Sequence, residues 1–164
     1  MLYIANNLRE LSFRQLMEVY AEGNMENAKE LWPELPLGQG IIRAEQDFYQ
    51  YLKECFFPTQ GAFYALWVEN GKYVSALRLE PYRDGLLLAA LETAPEHRRQ
   101  GYAKELIQTV LTELPRNKIY SHVSKKNIAS LKTHGACGFQ RILEHAVYAD
   151  GSVLTTSCTL CRET

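Results

Sequence analysis

One stretch restricts the fold more than any other. Leu86-Leu-Leu-Ala-Ala-Leu-Glu-Thr-Ala-Pro95 opens as an unbroken apolar run, the pattern of a strand buried on both faces. Pro95 cannot donate to a ladder and closes it. Arg98-Arg99-Gln100-Gly101-Tyr102-Ala103 then turns the chain into a helix. Ala103, Leu106, Ile107, Val110, Leu111 and Leu114 fall on one face of that helix at amphipathic spacing, and Leu114-Pro115 marks its end. A strand that feeds a helix through a glycine-containing turn aims successive backbone N–H groups at one spot. The first N–H groups of a helix lack partners, and the helix dipole adds partial positive charge there. Such a turn suits a pyrophosphate. Gly101 lets the backbone approach an anion, Ala103 is nearly as small, and Arg98 and Arg99 add charge. A plain strand–helix joint with surface arginines is the competing reading.

These residues resemble the GCN5-related N-acetyltransferases, the GNAT family. Arg98-x-x-Gly101-x-Ala103 matches that family's Gln/Arg-x-x-Gly-x-Gly/Ala signature, with Thr93-x-Pro95-x-x-Arg98 ahead of it. A second signature follows downstream. Asn127-Ile-Ala-Ser-Leu-Lys-Thr-His-Gly-Ala-Cys-Gly-Phe139 runs in register with the family's Asn-x-x-Ala/Ser-x-x-x-Tyr-x-x-x-Gly-Phe segment, behind a short strand from Ile119 to Ser124. One position departs: the usual tyrosine is His134.

The resemblance implies an α+β fold of the acyl-CoA N-acyltransferase type. Its central sheet is mixed, mostly antiparallel, flanked by helices and splayed between the fourth and fifth strands. It implies one domain over 1–164, with variable substrate-side helices in 1–60 and an acetyl-CoA-binding core in 61–164. The implied activity is transfer of an acetyl group from acetyl-CoA to a primary amine, on a small molecule or a peptide, by direct attack. The missing tyrosine keeps a second reading open, a non-catalytic acyl-CoA-binding or sensor module. The implied coenzyme-binding set is Leu91, Thr93, Arg98, Arg99, Gln100, Gly101, Tyr102, Ala103, Lys104, Asn127 and Ser130. Members of the family often dimerise, so a homodimer belongs to the expectation.

Composition excludes other classes. A length of 164 residues, 46% of them apolar, is enough for a substantial core. Net charge is −1, which does not suggest a nucleic-acid surface. No apolar run approaches the ~20 residues of a membrane span, and Met1-Leu-Tyr-Ile-Ala-Asn-Asn lacks the features of a signal peptide. A cytoplasmic location is the resulting expectation. No Gly-x-x-x-x-Gly-Lys-Ser/Thr is present, which argues against a P-loop. Cys158-x-x-Cys161 has no matching second pair, and its odd separation on a strand sends the two thiols to opposite faces. All four cysteines are expected as reduced thiols and no metal site is expected.

Taken in order, Leu2 to Ala5 suits a short strand, and Ser12 suits a helix N-cap, with Gly23 as the stop. Helical spacing returns over Met25 to Leu31 and over Gln46 to Phe57, with Pro36 to Gly40 between them as a loop. Ala62 to Val68 and Lys72 to Leu79 form a hairpin across Asn70-Gly71, and Asp84-Gly85 turns into the central strand. Gln140 to Tyr148 and Val153 to Leu160 suit two final strands joined across Asp150-Gly151.

Acetylation of an amine requires an uncharged nitrogen, a polarised thioester and a proton for the departing sulfur. Glu92 ends an apolar strand, where an unpaired carboxylate is costly, so a partner, water or a raised pKa is required. A general base and a paired structural carboxylate are both open to it. His134 is a candidate acid, with Tyr102, Tyr120 and His122 in reserve. Asn127 suits a helix cap as well as the coenzyme contact the resemblance gives it. Glu22, Glu26, Glu30, Glu34, Glu45 and Asp47 would favour a cationic acceptor, and solvated helix faces explain them equally.

Overall fold

The computed structural model describes residues 1–114 and 117–163. Its elements run β1 (Leu2–Ala5), α1 (Phe13–Val19), α2 (Ala21–Leu31), α3 (Leu37–Tyr51), β2 (Phe63–Glu69), β3 (Lys72–Tyr82) and β4 (Gly85–Thr93). There follow α4 (Tyr102–Glu113), β5 (Ile119–Ser124), α5 (Ile128–Ala136), β6 (Gln140–Leu143), β7 (Ala146–Val147), β8 (Val153–Leu154) and β9 (Ser157–Arg162). Pro115, the expected stop of the fourth helix, lies outside the described residues. No described helix is long and apolar enough to cross a membrane.

Seven strands form one sheet in the order β1-β2-β3-β4-β5-β9-β6. Because β9 lies between β5 and β6, every neighbouring pair is antiparallel except β4 and β5. The fold is thus mixed α/β with a mostly antiparallel sheet. Its parallel pair is short: Leu86 opposes Ile119, Leu87 opposes Tyr120 and Leu88 opposes Ser121, and there the ladder ends. A bulge in β4 accompanies the parting. Opposite β3, Ala76 pairs with Glu92 and Arg78 with Ala89, so Ala90 and Leu91 together face Leu77. Ala90 takes a left-handed φ of 54°, and such an extra residue bends its strand. The hydroxyl of Tyr20, the residue between α1 and α2, donates to the Ala90 carbonyl at 2.5 Å.

Burial along β4 corrects the expectation of a strand covered on both faces. Leu87 and Leu88 are buried, whereas Ala89 to Thr93 are only partly covered, because that half borders an open wedge instead of a neighbouring strand. Two apolar layers hold the sheet. On one face Leu106, Ile107, Val110 and Leu111 of α4 pack with Leu79, Leu88, Ile119 and Val123. On the other, Leu16, Met17 and Tyr20 pack with Leu52, Phe56, Tyr64 and Leu66. Each fully buried leucine or isoleucine contributes about 1.5–3 kcal/mol.

Three glycines differ from their expected roles for one reason. Gly23 lies inside α2 and does not end a helix. Gly40 lies inside α3, which begins directly after Pro36, where the expected loop was placed; a Cβ on Gly40 would come 3.0 Å from that of Ala28 on α2. The turn before β4 consists of Arg83 (φ 49°) and Asp84, while a Cβ on Gly85 would fall 1.9 Å from the Lys118 carbonyl. Each marks a close approach between elements. The Asn70-Gly71 turn forms as expected, with φ of 50° and 74°. The two final strands are each broken, β7 and β8 making a separate hairpin. All four cysteines are free, and Cys158 and Cys161 sit in different apolar clusters on opposite faces. No metal-binding group occurs among the described residues.

Candidate active site

A cleft of about 930 Å³ opens where β4 and β5 part, within the range of sites for sizeable ligands. Its walls come from the end of β4, the turn into α4, one face of α5, and α2. The turn is built for backbone donation. Arg99 (φ 61°) and Gly101 (φ 85°) are both left-handed, and such a turn gathers N–H groups into a concavity that binds anions. The first hydrogen bond of α4 runs from Glu105 N–H to Gly101 O at 3.0 Å. The N–H groups of Tyr102, Ala103 and Lys104 therefore precede any helical acceptor. Nothing lies within 4 Å of where a Cβ on Gly101 would be, so the space before the turn is clear for a ligand.

Side chains around the cleft fall into two groups. Arg98 makes an ion pair with Glu22 of α2 and donates from Nε to the Thr93 carbonyl at 3.2 Å. It ties the turn to α2. Arg99, Lys104 and Lys132 also line the cleft as cations. The acidic lining consists of Glu22 and Glu26 from α2 and Glu92 from β4. Ser75 Oγ of β3 donates to the Glu92 carbonyl at 2.9 Å and lies 3.1 Å from Thr93 Oγ1, which fixes the end of β4. Asn127 Oδ1 accepts from Ser130 N–H at 3.1 Å and caps α5, and both residues face the cleft.

The sequence model of the Acetyltransferase (GNAT) family matches residues 24–139. The chain belongs to this family. It is accordingly an acyltransferase, and the GNAT fold is that of its structural neighbours. The ribosomal-protein-S18-alanine N-acetyltransferase of Escherichia coli superposes with a TM-score of 0.58 at 18% identity, over 99% of this chain and 94% of its own. The PaiA N-acetyltransferase of Thermoplasma acidophilum, solved with coenzyme A, gives 0.61 at 13% identity over 100% and 99%. Aminoglycoside 6'-acetyltransferase type Ii gives 0.64 at 12% identity over 99% and 96%. No curated protein matches at the level of sequence.

In this GNAT chain the cleft brings together nearly all of the residues singled out from the sequence. Leu91, Glu92, Thr93, Arg98, Arg99, Gly101, Tyr102, Ala103, Lys104, Asn127 and Ser130 all line it. Gln100 does not; its amide reaches back to the Glu96 carbonyl at 3.5 Å. His134 does not either. It is 1% exposed, with Nδ1 2.8 Å from the Ser130 carbonyl and Nε2 2.9 Å from Ser121 Oγ on β5. A carbonyl only accepts, so Nδ1 carries the hydrogen and Nε2 receives one from the serine. Burial also lowers its pKa and keeps the ring neutral.

Glu92 is the perturbed group of the cleft. Its Oε2 is buried with no hydrogen-bond partner among the described residues. Burial pushes its pKa up to about 7, Glu22 and Glu26 reinforce the rise, and Arg98 opposes it. On the same sheet face, across the wedge, stands His122. Its Nδ1 is buried without a partner, and Tyr82 and Tyr148 lie edge-on to its ring. Sequence reasoning missed the α5 wall of Ala129, Lys132, Thr133 and Ala136, although their i, i+3, i+4, i+7 spacing marks one helical face.

Proposed function

We propose that the protein transfers an acetyl group from acetyl-CoA to a primary amine by direct attack, with Glu92 as the general base. The observation that supports this reading is a carboxylate with one buried, unpartnered oxygen lining the same cleft as the turn whose backbone N–H groups precede the first hydrogen bond of α4. The residues fit the coenzyme: the amides from Arg99 to Lys104 suit its pyrophosphate, and Asn127 and Ser130 suit the pantetheine side. Bound there, the coenzyme supplies the activated acetyl group.

The acceptor arrives as an ammonium past Glu22 and Glu26. Glu92, ionised above pH about 7, takes one proton from it, directly or through a water. The freed nitrogen lone pair forms the new C–N bond at the thioester carbonyl. Backbone N–H groups of β4, released where the ladder to β5 ends, meet the charge that develops on that oxygen. The C–S bond then breaks, the sulfur leaving with the electron pair. The thiolate takes its proton from solvent in the open cleft, while the amide nitrogen sheds its extra proton to water. His134, neutral and committed to two serines, holds α5 against β5 in this scheme.

Incubation with acetyl-CoA and a panel of amines, followed as free thiol, tests the reading. Thiol release that depends on one class of amine is expected, and Glu92→Gln should lower kcat by about 10²–10⁴-fold. Saturable coenzyme binding with no thiol release on any amine would sink it.

A further inference from the structure

Gly23 occupies the first turn of α2, where alanine would be the better helix former. An ideal Cβ built on it would stand 2.5 Å from Glu92 Oε1, 3.3 Å from Cδ and 3.4 Å from Oε2. Real Cβ atoms do not approach an oxygen at 2.5 Å. The carboxylate of β4 thus lies against bare helix backbone, in the place a side chain would fill. We propose that Gly23 is a positioning residue for Glu92, its missing side chain being the seat that holds the carboxylate on the wall of the cleft. This rests on the reading of Glu92 as the base. The charged groups facing Glu92 are Glu22 and Glu26 on α2 and Arg98 on the turn before α4.

The geometry also says what gives way on substitution. The atoms in conflict are the free end of a glutamate, which can swing aside, and the helix backbone need not move. Gly23→Ala should therefore fold with a melting temperature at or above that of the parent. Its kcat should fall about 10–100-fold, the range expected for a misplaced reacting group, with the Kd for coenzyme A unchanged. The acid limb of its kcat/KM profile should move to lower pH, since a carboxylate turned out of a desolvated seat titrates nearer its ordinary value. In the Glu92→Asp background, one methylene shorter, the same alanine should cost far less, a non-additivity diagnostic of contact.

Parental kcat and pH profile in Gly23→Ala would overturn the inference. So would an equal loss in both backgrounds, or a loss that merely follows a fallen melting temperature. Full activity in Glu92→Gln would instead overturn the base assignment, whatever Gly23→Ala does.

Discussion

As the proposed base, Glu92 would gain its activity at a cost in stability. A carboxylate with an ordinary pKa of about 4.3 is raised to about 7 in the folded chain, so the native state holds its proton more tightly than the unfolded state. The stability linked to this group is fully present below its unfolded pKa and is lost as pH rises through about 7. Glutamine has the same shape and no charge to desolvate. The melting temperature of Glu92→Gln should therefore gain on that of the parent between pH 5 and pH 8, even as turnover falls. Thermal unfolding of both proteins at the two pH values measures this, and a difference that ignores pH would contradict a raised carboxylate pKa.

The bulge of β4 depends on a contact from another element. Ala90 carries a Cβ in a left-handed conformation (φ 54°), which is unfavourable for any residue with a side chain. Its carbonyl is held by Tyr20, whose hydroxyl in turn accepts from Tyr64 at 3.2 Å. Tyr20→Phe leaves both groups short of a partner, and the expected loss is about 1–3 kcal/mol. Chemical denaturation should report it, with a parallel fall in kcat as the freed strand closes toward a regular ladder. Unchanged stability would separate the bulge from Tyr20. This dependence also explains what was legible in the sequence. The strand–turn–helix and the Asn127 cap are local, so periodicity and signature residues revealed them. The bulge and the glycine seats are not local. Gly23, Gly40 and Gly85 read as breakers along the chain, yet each is small because another element lies against it. The place of His134 is not local either: the resemblance set it at the position of the family's tyrosine, and Ser121, thirteen positions earlier on β5, holds its ring in the interior.

Across the whole molecule the cleft is a place where elements distant in sequence meet. Its walls come from α2, β4, α4 and α5, and Arg98–Glu22 is an ion pair that links the turn to α2. A ligand seated there should stabilise the fold as a unit, by about 2.7 kcal/mol at a hundredfold excess over Kd. For a chain of this size that corresponds to a rise in melting temperature of roughly 5–10 °C. Coenzyme A should produce the rise, and hydrogen exchange at the amides from Arg99 to Lys104 should slow with it. A rise without that local slowing would place the ligand elsewhere. At the end opposite the wedge the two strands are in close contact. There Leu86 N–H bonds to the Lys118 carbonyl at 2.9 Å, and that carbonyl occupies the space a Cβ on Gly85 would need. The contact sits about 26 Å of strand from Thr93, and none of its atoms lines the cleft. A single methyl on Gly85 has to displace the Lys118 carbonyl, so Gly85→Ala is expected to shift the start of β5 against β4, and a crystal structure of that variant with an unmoved β5 would contradict it.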